Sequence, residues 1–322
     1  MVFALDAEFL AAVAAIRGPN AASPPDSPVG DIASRRAGFQ VFPQLLAMQF
    51  PKKASVTTTD VHTKSADGHE VLLRLYTKAG ANTGSAALFL HPGGLILGDI
   101  TMFDGIVQGI VDATGVTYVS VEYRLAPEHP YPKALEDAYA GLVWLHEHAG
   151  ELNINPNRIA VHGESAGGGL AAALSIYVRD LKKQGGPKIA KQILVYPMLD
   201  DRVVTADAHV KPYLVWTTKD NETGWNAYLG SKRGAPDVPA TASPARLADA
   251  TGLPPMYLEV GELDLFRDES VAYAQKFWKA GVNVELHVLP GVPHGFEWMG
   301  TNTTVGSNAI AARRRAVSSI PK

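Results

Sequence analysis

The sequence predicts an α/β fold built on a mostly parallel sheet of eight strands with helices on both faces. Short apolar runs typical of buried strands are followed, later in the chain, by helical patterns, and this alternation favours a parallel sheet. The first runs follow one another without helices, which favours an antiparallel edge. The predicted strands lie near residues 55–62, 70–77, 86–91, 116–123, 158–162, 191–196, 255–260 and 283–289, and the predicted helices near 101–114, 133–149, 166–184 and 267–280.

Two stretches do not fit this alternation. Residues 1–50 precede the first strand and carry two helical patterns, separated by a Pro- and Ser-rich joint at residues 20–30. Residues 198–250 are rich in Asp, Pro, Trp and Tyr and are long for a connection, as lids and binding segments often are. We therefore predict N-terminal cap helices at 1–50 and a core at 51–322, with a cap or lid insertion at about 200–235.

The composition excludes several partners and cofactors. The chain has 322 residues and a formal net charge of −3, without a basic run that could follow a phosphate backbone, so we expect no nucleic-acid partner. Zero cysteines exclude disulfides, thiolate metal sites and a cysteine nucleophile. The N-terminus lacks a basic region, Asp6 and Glu8 interrupt its apolar stretch, and no run approaches the ~18 apolar residues of a membrane span. We expect a soluble, cytoplasmic protein with no membrane partner.

The strongest local signal is the stretch RIAVHGESAGGGL. A buried run, Ile159 to Val161, is followed by Gly-Glu-Ser-Ala-Gly and then at once by an Ala-rich helical pattern. This is G-x-S-x-G between a strand and a helix, where the two glycines permit a sharp turn that raises Ser165 above the sheet edge. The alternative is a Gly-rich turn in which Ser165 only caps the helix. The same glycines do not match G-x-G-x-x-G, and no G-x-x-x-x-G-K-[ST] occurs, so a nucleotide site is not indicated.

A serine nucleophile needs a base that is itself oriented by a carboxylate. Asp264 lies in the turn after the apolar run at 256–260, and His294 lies in the Gly- and Pro-rich loop after the run at 283–289. Both therefore follow the carboxyl ends of predicted strands, where ligands bind in open α/β sheets. Asp268 is the rival for the acid, although its place after Arg267 favours an ion-pair partner in the following helix.

Two glycines stand in a turn directly behind the apolar run that ends at Leu90, in the sequence HPGG. Acyl transfer from Ser165 generates an oxyanion that needs two or three preorganised N–H donors. One is the N–H of Ala166, and an earlier glycine turn is needed to supply the others, which we assign to Gly93 and Gly94. Pro92 has no N–H and cannot itself donate.

The spaced motifs together resemble the hormone-sensitive-lipase family (family IV) of α/β-hydrolase esterases, from about residue 85 to 297. HPGG stands where that family has H-G-G-G, and the stretch YRLAPEHPYPKALEDA, residues 123–138, is nearly a signature of it. The resemblance implies the α/β-hydrolase fold with a helical cap, and no metal or cofactor. It places the family's triad on Ser165, Asp264 and His294, and its oxyanion donors on Gly93, Gly94 and Ala166. The departure is Pro92, in place of the first glycine.

The function predicted on this basis is hydrolysis of short-chain acyl esters by a serine carboxylesterase through an acyl-enzyme intermediate. A deacetylase or lactonase acting on a specific natural product would use the same residues. A non-catalytic ligand-binding receptor on the same fold is the alternative from another class. We expect a small-molecule ester as the partner and a monomer or homodimer. The substrate-binding residues are not identified beyond the cap segments 1–50 and 200–235.

The signature stretch also carries charge and proline. Glu122, Arg124 and Glu128 lie close together, and we interpret them as a buried ion-pair network that braces the oxyanion loop rather than as catalytic carboxylates. Three prolines crowd the same stretch, so we predict at least one cis X–Pro bond there, at Pro127, Pro130 or Pro132.

Overall fold

In a computed structural model, which describes residues 3–18, 27–181 and 186–321, an eight-stranded sheet runs through the molecule. The strand order is β1-β2-β4-β3-β5-β6-β7-β8. The β1–β2 and β2–β4 pairs are antiparallel and every other neighbouring pair is parallel. The sequence prediction is confirmed, including the antiparallel edge. The strands are β1 Val56–Lys64, β2 Glu70–Lys78, β3 Ala86–Leu90, β4 Thr117–Val121, β5 Ile159–Glu164, β6 Lys191–Val195, β7 Met256–Gly261 and β8 Val284–Leu289.

The helices occupy the predicted positions between strands, with additions at both ends of the chain and at Thr218–Leu229 within the predicted insertion; residues 182–184 of the predicted helix 166–184 lie outside the described residues. The second N-terminal pattern forms two helices rather than one, and Pro43 lies in the first turn of the second, where a missing N–H does no harm. Most of the predicted joint, residues 19–26, lies outside the described residues. The helices are α1 Ala7–Arg17, α2 Ile32–Phe39, α3 Phe42–Gln49, α4 Asp104–Thr114, α5 Lys133–Glu147, α6 Ala166–Leu181, α7 Thr218–Leu229, α8 Arg267–Lys279, α9 Glu297–Gly300 and α10 Thr304–Ser318.

Two hydrophobic clusters cover the two faces of the sheet. In β3, Leu88 and Leu90 belong to the cluster packed by α5, α6 and α8, whereas Ala87 and Phe89 belong to the cluster packed by α4 and α10. Successive side chains of a strand point to opposite faces, and here both faces are apolar, as in a parallel sheet buried between helices. Within the described residues, no helix combines the length and apolarity needed to cross a bilayer.

Helix α1 packs against the loop that follows β8. The carboxylate of Asp6 caps the helix by accepting from the Phe9 N–H at 2.9 Å. The Phe9 side chain is 2% exposed and belongs to a small cluster with Val292 and Phe296. Because Val292 and Phe296 flank His294 in sequence, α1 supports the loop that carries this histidine.

The interpretation of Glu122, Arg124 and Glu128 as one network is wrong, because the three charges have separate partners. Arg124 pairs with the fully buried Asp137 of α5 at 2.7 Å and with Asp67 at 2.8 Å, away from the oxyanion loop. It ties the signature stretch to α5 and to the β1–β2 turn instead. The predicted cis bond is confirmed, and occurs at Ala126–Pro127 and at Tyr131–Pro132.

The two glutamates do brace the chain that follows the HPGG turn, each in its own way. Glu122 accepts from the Ile100 N–H at 2.9 Å. Glu128 pairs with Arg36 of α2 at 2.6 Å, and the Arg36 Nε donates to the Ile96 carbonyl at 3.0 Å. The first contact lies within the core, and the second joins the N-terminal helices to the core.

Truncation of Phe9 tests the anchoring of α1. We expect Phe9→Ala to lower the free energy of unfolding by about 3–5 kcal/mol, because it empties a buried aromatic site. The neighbouring Leu10 is 52% exposed, so Leu10→Ala is the matched control and should change stability by less than about 0.5 kcal/mol. Urea unfolding of both variants measures the difference, and equal effects would show that α1 is not held by its buried face.

Candidate active site

Ser165 lies in a tight turn between β5 and α6 and has a φ of +54°. The turn depends on its flanking glycines, since a Cβ at Gly163 would overlap the Gly167 carbonyl and a Cβ at Gly167 would overlap the Leu90 carbonyl. The Ser165 N–H donates to the Val195 carbonyl at 2.9 Å, which ties the turn to β6. The predicted strand–turn–helix setting of the serine is therefore confirmed.

His294 contacts both other residues of the predicted triad. Its Nδ1 lies 2.7 Å from Asp264 Oδ2, and its Nε2 lies 2.9 Å from Ser165 Oγ. A carboxylate only accepts, so Nδ1 donates to Asp264; in a neutral ring Nε2 is then the acceptor and the Ser165 hydroxyl donates to it. All three residues are buried, at 4% exposed for Ser165, 2% for Asp264 and 7% for His294.

The acid of this arrangement is held by its own turn. Asp264 follows β7, and its Oδ1 accepts from the Phe266 N–H at 2.9 Å, which leaves Oδ2 directed at His294. The rival Asp268 lies in the first turn of α8 with its side chain 77% exposed, and it pairs with Arg267 at 2.7 Å. The structure thus brings Asp264 to the histidine and places Asp268 at the surface.

Aromatic rings fix the orientation of the imidazole. The ring of Tyr196, directly after β6, lies edge-on to that of His294 with centroids 4.5 Å apart, and Phe266 lies edge-on at 5.2 Å. Edge-to-face contacts of this kind are favourable and restrict the rotation of both rings. His294 is therefore held by packing as well as by its two hydrogen bonds.

The glycine turn of the HPGG sequence lies beside the Ser165 turn. Gly93 and Gly94 have φ angles of +135° and +59°, and the Gly93 carbonyl accepts from Ile96 at 3.0 Å and Leu97 at 2.9 Å. The contact of Gly167 with the end of β3 brings this turn against the Ser165 turn. Ala166 is the first residue of α6, where an N–H has no partner within its own helix. The three predicted donors thus belong to two adjacent turns.

His91 supports this turn without offering a proton-transfer group. It is fully buried, and burial lowers the pKa of its imidazole to about 4, so the ring is neutral near pH 7. Its Nδ1 donates to the Pro92 carbonyl at 2.8 Å, and its ring stacks between those of Phe103 and Tyr123. Pro92 therefore takes part in the turn through its carbonyl oxygen, so its missing N–H does not matter for this contact.

Sequence reasoning missed Trp216, which covers the HPGG turn from the segment between β6 and α7. A Cβ added at Gly94 would overlap the six-membered ring of the Trp216 indole, and a Cβ at Gly224 of α7 would lie 2.6 Å from the Gly94 carbonyl oxygen. The only available signal was the aromatic content of residues 198–250. The insertion thus packs directly on Gly94.

Comparison with known proteins agrees with this geometry. Residues 87–298 match the family described as alpha/beta hydrolase fold, and the chain belongs to this family, with the fold that the sequence predicted. Carboxylic ester hydrolase LipN of Mycobacterium tuberculosis is 34% identical over 293 residues, which cover 89% of this chain and 76% of LipN. Esterase LipI of the same organism is 37% identical over 210 residues, which span 65% of this chain and 64% of LipI.

The solved structures give the same result. The structure titled Bacterial Heroin Esterase superimposes with a TM-score of 0.87 at 34% identity, covering 99% of this chain and 98% of that one. Other relatives are named carboxylesterase and ethyl acetate hydrolase. The relatives therefore place the chain among the carboxylic ester hydrolases, as the sequence predicted.

Because Trp216 packs tightly against Gly94, we predict that one methyl group added at Gly94 strongly lowers activity. We expect Gly94→Ala to lower kcat/KM for p-nitrophenyl acetate by about 10²-fold or more, because the displaced turn no longer presents its N–H groups. Gly38 in α2 has no atom within 4 Å of an added Cβ, so Gly38→Ala is the control and should leave kcat/KM unchanged. Full activity of Gly94→Ala would show that this turn does not touch the reacting atoms.

Proposed function

We propose that the protein is a serine carboxylesterase that hydrolyses small esters with short acyl groups through an acyl-enzyme intermediate. The observation that carries the proposal is the double contact of one imidazole, with Ser165 on one nitrogen and Asp264 on the other. A serine hydroxyl is a weak nucleophile at neutral pH, and this arrangement supplies the base and the carboxylate that orients it.

In the first half of the reaction, Ser165 Oγ attacks the ester carbonyl carbon while its proton passes to Nε2 of His294. The resulting imidazolium is stabilised by Asp264 through Nδ1–H. The negative charge that develops on the carbonyl oxygen is met by the N–H groups of Gly93, Gly94 and Ala166. His294 then gives the proton to the leaving alcohol, and the acyl group stays on Ser165.

In the second half, water replaces the alcohol. His294 takes a proton from the water as it attacks the acyl carbon, and a second tetrahedral intermediate forms in the same oxyanion site. Its collapse releases the carboxylic acid and returns the proton to Ser165 Oγ. Every proton transfer in this sequence uses Nε2 of His294, and the chain's own residues complete the cycle.

We further propose that residues 1–50 and about 200–235 form one cap over the site. Arg35 of α2 pairs with Asp220 of α7 at 2.8 Å, and the Gly30 N–H donates to Thr223 Oγ1 at 3.0 Å, so the two segments contact each other. Trp216, just before α7, and Gly224 of α7 both pack against Gly94 of the oxyanion turn. The cap, rather than the sheet, would then decide which acyl and alcohol groups fit.

Two observations support a small substrate, and a third supports a reducing compartment. Ser165 and His294 are almost fully covered, which suits a small ester better than a lipid aggregate. A relative is named for ethyl acetate, one of the smallest esters. The absence of cysteine suits a reducing compartment, so we propose the cytoplasm as the site of action.

A series of p-nitrophenyl esters tests the proposed activity. We expect the wild-type protein to hydrolyse the acetate and butyrate with kcat/KM at least tenfold above the value for the decanoate. Ser165→Ala should retain less than about 10⁻³ of the wild-type kcat, since no nucleophile remains. Equal, negligible rates from both proteins would contradict the proposal and favour a ligand-binding role.

The choice of acid is tested by two matched amides. Asp264→Asn should lower kcat by roughly 10⁴-fold with the fold intact, because the tautomer and orientation of His294 are no longer fixed. Asp268→Asn should change kcat little and stability by no more than about 1 kcal/mol, since its ion pair is exposed. Steady-state kinetics and circular dichroism distinguish the two, and the reverse ranking would make Asp268 the acid.

A further inference from the structure

A buried cluster of ionisable side chains lies below the candidate triad, and no step of the proposed reaction uses it. The guanidinium of Arg313 in α10 binds Glu259 through Nε at 2.7 Å and Glu297 through Nη1 at 2.6 Å. The carboxyl of Glu164 lies 3.9 Å from the same Nη1. The side chains of the three glutamates are at most 1% exposed and that of Arg313 is 6% exposed.

Each glutamate belongs to a segment that carries one residue of the triad. Glu164 immediately precedes Ser165, and Glu297 follows His294 by three residues. Glu259 lies in β7, whose end leads into the turn of Asp264. The guanidinium of Arg313 therefore links the three segments that carry Ser165, Asp264 and His294.

The cluster reaches the imidazole through Tyr196. The Tyr196 hydroxyl donates to Glu297 Oε1 at 2.7 Å, and the same ring packs edge-on against His294 at 4.5 Å. The Arg313 guanidinium lies 5.7 Å from the centre of the Tyr196 ring, within the range of a cation–π contact. A shift of Arg313 or Glu297 would thus move the Tyr196 ring, which packs against His294.

With all three carboxyls ionised the cluster would carry a net charge of −2, and one retained proton reduces this to −1. Arg313 is the only cation that pairs with these three glutamates among the residues that the structure describes. The other groups that interact with Glu164 add no positive charge: they are Tyr118 of β4, Tyr196, Glu259 and Glu297. His162 of β5 lies behind them, with its Nδ1 3.1 Å from the Tyr118 hydroxyl. His162 is neutral because burial, with the nearby Arg313 charge, lowers its pKa to about 3.

Glu164 is the member that keeps the proton. Neither of its oxygens has a hydrogen-bond partner within the described part of the chain, whereas Glu259 and Glu297 both accept from Arg313. Burial raises the pKa of the Glu164 carboxyl to about 8, against the attraction of Arg313. At neutral pH the cluster thus holds two carboxylates, one guanidinium and one neutral acid.

We propose that Arg313 is a positioning residue for the triad, and that it holds the His294 segment only while the Glu164 carboxyl keeps its proton. Ionised Glu164 would compete with Glu297 for the same Nη1 atom, because an oxygen of each carboxyl lies within 4.0 Å of it, at 3.9 Å and 2.6 Å. Loss of the contact to Glu297 would release Tyr196, and with it the packing of His294. The inference rests on the proposed esterase function.

The first experiment replaces the planar guanidinium of Arg313 by the single ammonium group of a lysine. Arg313→Lys keeps the positive charge but cannot bind two carboxylates through separate nitrogens, so the segments lose their common partner. We expect kcat for p-nitrophenyl acetate to fall about tenfold or more while KM changes less than about threefold, since the loss lies in the transition state. The neighbouring Arg314 is exposed, and Arg314→Lys, the matched control, should behave as the wild type.

The second experiment separates positioning from stability by its dependence on pH. With the uncatalysed rate subtracted at each pH, wild-type kcat/KM should fall above about pH 8, where Glu164 ionises. Glu164→Gln has the shape of the neutral acid and cannot ionise, so the fall should be absent from its profile. Superimposable profiles above about pH 8 would overturn the role of Glu164.

Urea unfolding provides an independent test of whether Glu164 is protonated in the folded chain. Well below pH 4.5, Glu164 is protonated in folded and unfolded chains alike; between about 4.5 and about 8, mainly the folded chain keeps the proton. The urea midpoint of the wild type, relative to Glu164→Gln, should therefore decrease as the pH rises through this interval and then stay constant. A difference that does not vary with pH would contradict a buried neutral acid.

The outcomes distinguish this inference from the proposed function. If Ser165→Ala is as active as the wild type, the esterase mechanism fails and the cluster loses its role. If Ser165→Ala is inactive, but Arg313→Lys and Arg314→Lys have equal kcat, then the mechanism stands and the positioning role of Arg313 is wrong.

Discussion

The backbone contact between Gly167 and the end of β3 determines the geometry of the whole site. A Cβ at Gly167 would overlap the carbonyls of Leu90 and His91, so the Ser165 turn and the HPGG turn can approach closely only because this residue has no side chain. The contact sets the position of Ser165 relative to Gly93 and Gly94 before any substrate binds. Such preorganisation is what makes N–H donors effective in acyl transfer, since they need not reorient during the reaction.

This geometry requires backbone strain, which the surrounding sheet sustains. Ser165, Leu95 and Tyr196 all have positive φ, a conformation that costs a residue with a side chain about 1–3 kcal/mol. Ser165 and Tyr196 directly follow central strands, and their N–H groups donate to the Val195 and Glu259 carbonyls at 2.9 and 2.6 Å. The inter-strand hydrogen bonds of the buried parallel sheet thus continue at Ser165 and Tyr196 and stabilise their strained conformations.

The sequence predicted those features whose signals are local. The central strands coincide with short apolar runs, and Ser165, Asp264 and His294 each follow such a run within a few residues. Arg313 was not found in this way, because it does not follow a strand and is the first of three consecutive arginines. Only the packing of α10 buries the first and leaves the other two exposed. The same limit explains Glu122, Arg124 and Glu128: closeness in sequence suggested one network, whereas their partners come from distant elements.

The electrostatics of the cluster fit the proposed mechanism only in one protonation state. During acylation a positive charge forms on His294 between the Asp264 carboxylate and the ring of Tyr196, in a site with little solvent. With Glu164 neutral, the cluster behind Tyr196 carries a net charge of about −1, which favours the imidazolium, as opposite charges do at reduced dielectric. A second negative charge, placed next to Ser165, would oppose the oxyanion that forms above the same turn. Because Glu164 keeps its proton, the cluster stabilises the His294 imidazolium without destabilising the oxyanion of the tetrahedral intermediate.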